Sequence, residues 1–392
     1  MSTIEERLAQ GVEEGKIPHA VVCATNGDGS FTYTHAVGTS SGTSAIKDDA
    51  VFLLASQTKL LTSIAALQVV EAGLIGLDDD VAGTLPELGG QKILKGFGED
   101  GKPILEERKE RMTLRHLLTH SSGLGYEAVD PGLMEVARQA GKKAGTGATV
   151  QERCTHPLLF EPGSAWMYGS SIDWAGKLVE RITGMTLEEY MRENIFVPLG
   201  VNTLTFWPYA NPELAGRVPQ LMTRNAEGKL VEMKGTFINT TSTDCFGGHG
   251  AYGVMRDYLE VQRSLLADDQ RLLKKETVAM LFQPQLTAEA KASLNYYIKK
   301  HPLGEFMVGE YNPDVELDWG LGGIIFLQDD VGKRKRGTLN WGGMANCFWI
   351  IDREADLAYT FGTQVLPPGD VPAKQMISAF ELGLYERAGV KV

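Results

Sequence analysis

The chain has 392 residues, of which 43% are hydrophobic and 22% charged, the profile of a globular protein that can bury a large core without staples. Its net charge of −12 at pH 7 argues against a nucleic-acid partner, whose phosphates require Lys and Arg neutralisation, and no apolar run reaches the roughly 18 residues of a membrane span. The four cysteines, Cys23, Cys154, Cys245 and Cys347, are too far apart for a CxxC motif. Residues Met1–Arg7 lack the basic start and apolar stretch of a secretory signal. Together these features predict a reduced, cytoplasmic setting.

Ile4, Leu8 and Val12 form the stripe of a first helix. Two strand-like runs follow, His19–Thr25 and Phe31–Val37, separated by the hairpin signal Asn26-Gly27 and Asp28-Gly29. An apolar helix over residues 60–72 ends near Gly73, and Asp78–Asp80 reads as a loop or a helix start. Thr113–His120 predicts a short helix. Ser171–Thr183 predicts a longer one that stops at Gly184, and Thr186-Leu187-Glu188-Glu189 opens another through a capping box. Residues 125–155 and 205–245 are polar and weakly periodic, so long loops or insertions around a site are expected there. The tail returns to strands over Gly322–Gln328, Gly337–Trp341, Cys347–Asp352 and Leu357–Gly362, then an amphipathic helix over Val371–Glu386. The basic run Lys333-Arg334-Lys335-Arg336 reads as a solvated hairpin.

The predicted fold is therefore α/β (α+β): one antiparallel sheet built from both ends of the chain, flanked by the terminal helices, with a helical domain inserted. The expected division is a sheet domain over 1–60 and 310–392 and a mainly helical domain over 61–309.

Ser56-Gln57-Thr58-Lys59 opens the apolar helix and sets a hydroxyl and an amine on one helix face. The helix N-terminus favours a developing alkoxide or oxyanion. Phe52-Leu53-Leu54-Ala55 before it and Leu60-Leu61 after it enclose the lysine. An ordinary lysine, with a pKa of about 10.4, is neutral in only about one molecule in 2500 at pH 7. Lys59 must either be driven toward neutrality by burial or stay charged and acidify a neighbouring phenol. Tyr168, where the turn-rich Glu161–Met167 segment meets a helix start, supplies such a phenol, and the pair would share its protons.

These residues resemble the serine β-lactamase and penicillin-binding-protein superfamily, in its class C-like branch. The S-x-x-K signature is known among its relatives, and Thr113–Leu124 and Glu161–Tyr168 are similar to further segments of the superfamily. Its third motif stands here as Trp341-Gly342-Gly343, which looks like family VIII carboxylesterases and the fungal lovastatin-type acyltransferases. The likeness to the acyltransferases is the closer and runs over nearly the whole chain.

The resemblance implies that Ser56 is the nucleophile, with Lys59 and Tyr168 as the acid–base pair. It implies an oxyanion hole from the backbone N–H groups of Ser56 and Met344, and contacts to substrate from Ser170, Trp341, Gly342 and Gly343. Tyr126, just after the Ser121–Leu124 turn, is expected to line the pocket. It further implies transfer of an acyl group from a thioester, free or borne on an acyl carrier protein, to a hydroxyl acceptor, with neither cofactor nor metal. The alternative is a carboxylesterase or β-lactamase-like hydrolase using the same groups. Ser170 replaces the usual Asn and the Lys-Thr of the third motif is absent, which counts against β-lactam and cell-wall peptide substrates but not against ester or thioester chemistry.

Other patterns have plainer readings. Gly38-Thr39-Ser40-Ser41-Gly42 fits G-x-S-x-G but lacks a following apolar helix. His116 and His120 have metal-ligand spacing without a third ligand, and read as structural. The glycine-rich Gly247–Gly253 reads as a turn, or as a loop over the site.

Overall fold

A computed structural model describes residues 2–42, 44–234, 241–301 and 304–390. Its main sheet has eight antiparallel strands. Three come from the start of the chain: β1 (His19–Thr25), β2 (Thr32–Ser41) and β3 (Ser44–Ala45). Five come from its end: β4 (Leu317–Trp319), β5 (Ile324–Phe326), β6 (Leu339–Gly343), β7 (Cys347–Asp352) and β8 (Leu357–Gly362). The spatial order is β4-β5-β6-β7-β8-β1-β2-β3. The two ends of the chain meet where Val21 pairs with Gly362 and Thr25 with Ala358.

β1 is buried along its whole length, and its period-2 alternation sorts residues to two cores. Ala20, Val22 and Ala24 join Ile4 and Leu8 of helix α1 (Ile4–Glu13) and Phe380 and Leu384 of the last helix (Val371–Arg387). Val21 and Cys23 face the larger core shared with the helical part. Sliding β1 by one residue would exchange the two sets, so burial on both faces fixes the register.

In the helical part, α2 (Thr58–Glu71) is buried on nearly every side, from Leu60 and Leu61 to Ile64, Leu67 and Val69, as an apolar helix in a large core must be. It packs on α3 (Ser171–Thr183). That helix closes at Gly184, whose φ of 74° is the left-handed cap glycine accepts without strain. Among the described residues, no helix is long and apolar enough to cross a membrane.

Three expectations are corrected. The stretches 125–155 and 205–245 are not plain loops: they hold helices at Pro131–Gln139, Val150–Cys154 and Pro212–Ala215, and short strands at Met222–Arg224 and Leu230–Glu232. Asp130 caps the first of these helices, with Pro131 at its first position, a start signal strong enough to override weak periodicity. Residues 235–240 of the second stretch lie outside the described residues, as does Thr43 beside the G-x-S-x-G pattern. The basic run is not wholly solvated either. Arg334 is fully buried and bonds both carboxylate oxygens of Glu381, at 2.6 and 2.9 Å. Finally, the short strands β3 and β4, at the two edges of the sheet, were not anticipated.

Candidate active site

Ser56 sits in a 3-10 turn, Ala55–Gln57, that runs directly into α2. The strand Val51–Leu53 delivers it, paired with Tyr252–Val254. The turn is fastened by Thr58, whose hydroxyl donates to the Ala55 carbonyl at 2.6 Å and accepts the Ala251 N–H at 3.0 Å. Tyr258 donates to the Gln57 carbonyl at 2.9 Å. Ala55 has a φ of 47°, a left-handed conformation that costs a residue with a Cβ about 1–2 kcal/mol. The surrounding bonds therefore hold a strained backbone immediately before the serine.

One turn along the helix, Lys59 is only 2% exposed. Its Nζ donates to the Gly248 carbonyl at 2.7 Å, to the Tyr126 hydroxyl at 3.1 Å and to Ser56 Oγ at 3.4 Å. Three acceptors match the three N–H donors of an ammonium. The same nitrogen lies 4.6 Å from the centre of the Tyr168 ring, a cation–π distance.

Tyr168 donates from its hydroxyl to Ser56 Oγ at 2.6 Å and accepts from Trp341 Nε1 at 3.3 Å. Its peptide flanks are both tied to His120: the Met167 N–H to the His120 carbonyl at 3.0 Å, and the Gly169 N–H to His120 Nδ1 at 3.4 Å. The His120 ring also packs on Tyr168, centroids 4.9 Å apart. Burial, reinforced by the charge of Lys59, pushes His120 well below the ordinary imidazole range, so it serves here as a neutral acceptor. His116 has a different task, completing a capping box with Thr113.

Of the residues the sequence singled out, Ser56, Lys59, Tyr168, Tyr126 and Trp341 converge on one another. Gly342 and Gly343 end β6 beside the serine turn. A Cβ on Gly343 would stand 2.4 Å from the Leu54 carbonyl oxygen, so only glycine admits this approach. Met344 follows at once and packs on the small apolar cluster of Val51, Leu53, Ala55, Leu214 and Tyr252. Ser170 is not brought to the group: it is buried, and its hydroxyl donates to the Gly125 carbonyl at 3.3 Å. Ser40 of the G-x-S-x-G pattern is likewise not brought to the group: it lies on β2, beside the edge strand β3 and four strands from β6.

Sequence reasoning missed Asp173 and undervalued Gly248 and His249. Asp173 is fully buried, on the first turn of α3, and its Oδ1 accepts the Gly248 N–H at 2.8 Å. His249 Nδ1 stands 3.4 Å from the same oxygen. Burial alone would raise the Asp173 carboxyl, but His249, Lys59 and the Gly248 N–H together hold it below the usual carboxylate range. The available signal was a carboxylate set among Ile172, Trp174, Ala175 and Gly176 on an apolar helix, where an unpaired charge is not tolerated.

The arrangement can activate a hydroxyl nucleophile and move a proton over a short distance. Comparison with known proteins agrees. The chain matches the family described as Beta-lactamase over residues 4–380. A lovastatin esterase of Penicillium rubens is 40% identical over 366 residues, covering 92% of either chain. A monacolin J acid methylbutanoyltransferase of Aspergillus terreus is 37% identical over 393 residues, covering 97% of this chain and 95% of that one. The solved structure of unliganded simvastatin synthase (LovD) from Aspergillus terreus superposes with a TM-score of 0.88 at 35% identity, over 98% of this chain and 97% of that one.

Proposed function

The chain belongs to the Beta-lactamase family, and on that premise we propose that it is a serine acyltransferase, carrying an acyl group on Ser56 from a thioester donor to the hydroxyl of a small-molecule acceptor. The observation that carries this reading is the short hydrogen bond between Tyr168 and Ser56 Oγ, 2.6 Å, with the Lys59 nitrogen against both.

In the proposed first step, Tyr168, ionised to the phenolate in the reacting form beside the Lys59 ammonium, takes the Ser56 proton as Oγ attacks the thioester carbonyl. The C–O bond forms, the tetrahedral oxyanion collapses, and the C–S bond breaks. The leaving thiolate receives the proton from Tyr168. In the second step the acceptor hydroxyl loses its proton to Tyr168 as its oxygen attacks the acyl carbon, and Ser56 leaves with that proton. Lys59 stays charged throughout, favouring the phenolate and the oxyanion electrostatically. The oxyanion is assigned to the backbone N–H groups of Ser56 and Met344. One such donor typically lowers the barrier by about 3 kcal/mol, and the close approach of β6 to the serine turn supports this assignment.

Transfer is preferred to hydrolysis because the transferase relative covers nearly the whole chain. The esterase relative keeps the second reading in view, in which water resolves the same acyl-enzyme. The proposed donor is a thioester, free or borne on an acyl carrier protein.

The test is intact-protein mass after brief mixing with short acyl thioesters, wild type beside Ser56→Ala. An added acyl mass on the wild type alone, discharged faster by a hydroxyl acceptor than by water, is the expected result. Discharge at the same rate in both would favour the esterase. Thioester turnover that survives Ser56→Ala unchanged would remove Ser56 from the mechanism.

A further inference from the structure

Among the described residues Lys59 makes no direct contact with a carboxylate: its hydrogen-bond acceptors are two hydroxyls and a carbonyl. A buried ammonium without a counter-charge is costly. The nearest answer lies one peptide away. The Gly248 carbonyl accepts from Lys59 Nζ at 2.7 Å, and the N–H of the same residue donates to Asp173 Oδ1 at 2.8 Å. Gly248 thus relays between an amine on α2 and a carboxylate on α3. The position requires glycine: a Cβ there would stand 2.5 Å from Asp173 Oδ2. The neighbouring Gly247 carbonyl is held by the Thr62 hydroxyl at 2.7 Å, which fixes the relay against α2.

We propose that Asp173 is a positioning residue for the acyl-transfer reaction: the buried counter-charge of Lys59, acting through the Gly248 peptide to keep the ammonium aimed at Ser56 and the Tyr168 ring. This rests on the acid–base roles proposed above for Lys59 and Tyr168. An Asp173 carboxylate polarises the Gly248 peptide, so its carbonyl becomes a stronger acceptor for the amine. It also balances the charge without touching it. A carboxylate in direct contact with Nζ would compete with Tyr126 and Ser56 for the same donors.

The charged and titratable groups around the relay are few. Lys59 faces Ser56, Tyr126 and Tyr168, with His120 near enough to feel its charge. Asp173 faces His249 directly and influences Tyr126, Cys154 and Arg153. Its carboxyl is held in the ionised direction by His249 and Lys59 against burial, in keeping with a standing negative charge.

The experiment compares wild type, Asp173→Asn, Lys59→Met and the double variant. Asn keeps an oxygen for the Gly248 N–H and removes only the charge. The carboxylate favours the charged form of the amine, so its loss should move the alkaline limb of the kcat/KM profile to lower pH. kcat/KM itself should fall about 10- to 100-fold through misplacement of the amine. An unmoved limb, with lower Tm as the only change, would make Asp173 a purely structural residue.

Thermal unfolding of the four proteins gives an independent reading that does not require activity. Each single variant leaves one buried charge unpaired and should lower Tm, while the double variant removes both and should recover part of the loss. Additive losses, or a double variant that folds no better than Asp173→Asn, would overturn the inference. If Ser56→Ala and Lys59→Met left turnover intact, the fault would lie with the proposed mechanism, whereas a moved Tm cycle beside it would still place Asp173 opposite Lys59.

Discussion

Lys59 and Arg334, the most deeply buried lysine and arginine among the described residues, are treated in opposite ways. Arg334, packed beneath the last helix, meets the Glu381 carboxylate with two parallel bonds, donates a third to the Val308 carbonyl at 2.7 Å, and lies over the rings of Phe326 and Phe348. Lys59 meets two hydroxyls and a carbonyl, with its proposed counter-charge one peptide removed. A guanidinium does not give up its proton, and a bidentate carboxylate fixes its plane. That pair, with Lys333 3.8 Å from the same carboxylate, is suited to holding structure. The groups around Lys59 are neutral, exchangeable and adjacent to a half-buried serine. The lesson is that burial alone does not mark a functional charge. What marks it is burial with partners whose own protons can move.

Breaking each site should separate the two roles by kind of loss. Lys59→Met is expected to reduce kcat/KM by about 10²–10⁴-fold, the usual range for a lost acid–base group, in steady-state thioester turnover. Glu381→Gln should leave turnover per folded molecule within a few-fold and instead cost about 3–5 kcal/mol in denaturant unfolding, because Arg334 stays buried without its counter-ion. Replacing Arg334 and Glu381 together by Met and Leu should recover most of that loss. A large catalytic defect in Glu381→Gln would erase the distinction.

The contrast was only half legible in the sequence. Ser56, Lys59 and Tyr168 could be read because a spacing of three places two functional groups on one helix turn, and because a turn-rich segment before a helix exposes an aromatic. The sheet was legible as well, since short β-branched runs at both ends of the chain have no other way to bury both faces. Asp173 and Gly248 were not: their meeting depends on how residues 75 positions apart cross, and no local pattern encodes that. Arg334 was misread for the same reason. The basic run Lys333–Arg336 looks like a solvated loop, and only the last helix, folding back with Glu381, pulls Lys333 and Arg334 inside.

A third buried population sharpens the comparison through pH. His19 is fully buried on β1, with Nδ1 bonded to the Thr39 carbonyl at 2.8 Å, and burial depresses it to about 4. In the unfolded chain an imidazole titrates near about 6.5. Between those values the unfolded state binds the extra proton, so stability falls as pH drops from about 6.5 to about 4, by about 3 kcal/mol for this group. His120 and His156, also depressed mainly by burial, act in the same direction. The Glu381 carboxyl, which burial would raise, is held low by Arg334, and its contribution is lost only at still lower pH. Urea midpoints at pH 7, 5.5 and 4 should therefore decline well before the carboxylates titrate. His19→Asn, which keeps a donor for Thr39, should flatten the slope by up to one proton, about 1.4 kcal/mol per pH unit. An unchanged slope would show that His19 keeps its proton in the folded protein.

The finest distinction lies between the two phenols at Lys59. Tyr126 accepts from Nζ at 3.1 Å, and Tyr168 bonds Ser56. Burial of the Tyr126 hydroxyl beside Lys59, added to by Tyr168 and Asp173, pushes that phenol well above the ordinary tyrosine range. Tyr126 is thus suited to orient the amine and unsuited to carry a proton. Tyr126→Phe removes one hydrogen bond to a charged group, worth about 1.5–3 kcal/mol. If about half of that is felt in the transition state, kcat/KM should fall about 4- to 13-fold. The shape of its pH profile should not change, because no titrating group has been removed. Tyr168→Phe, by contrast, should lose the Ser56-dependent acyl adduct itself. A Tyr126→Phe profile that lost its acid limb would reverse the assignment, making Tyr126 the proton carrier and Tyr168 the group that orients the serine.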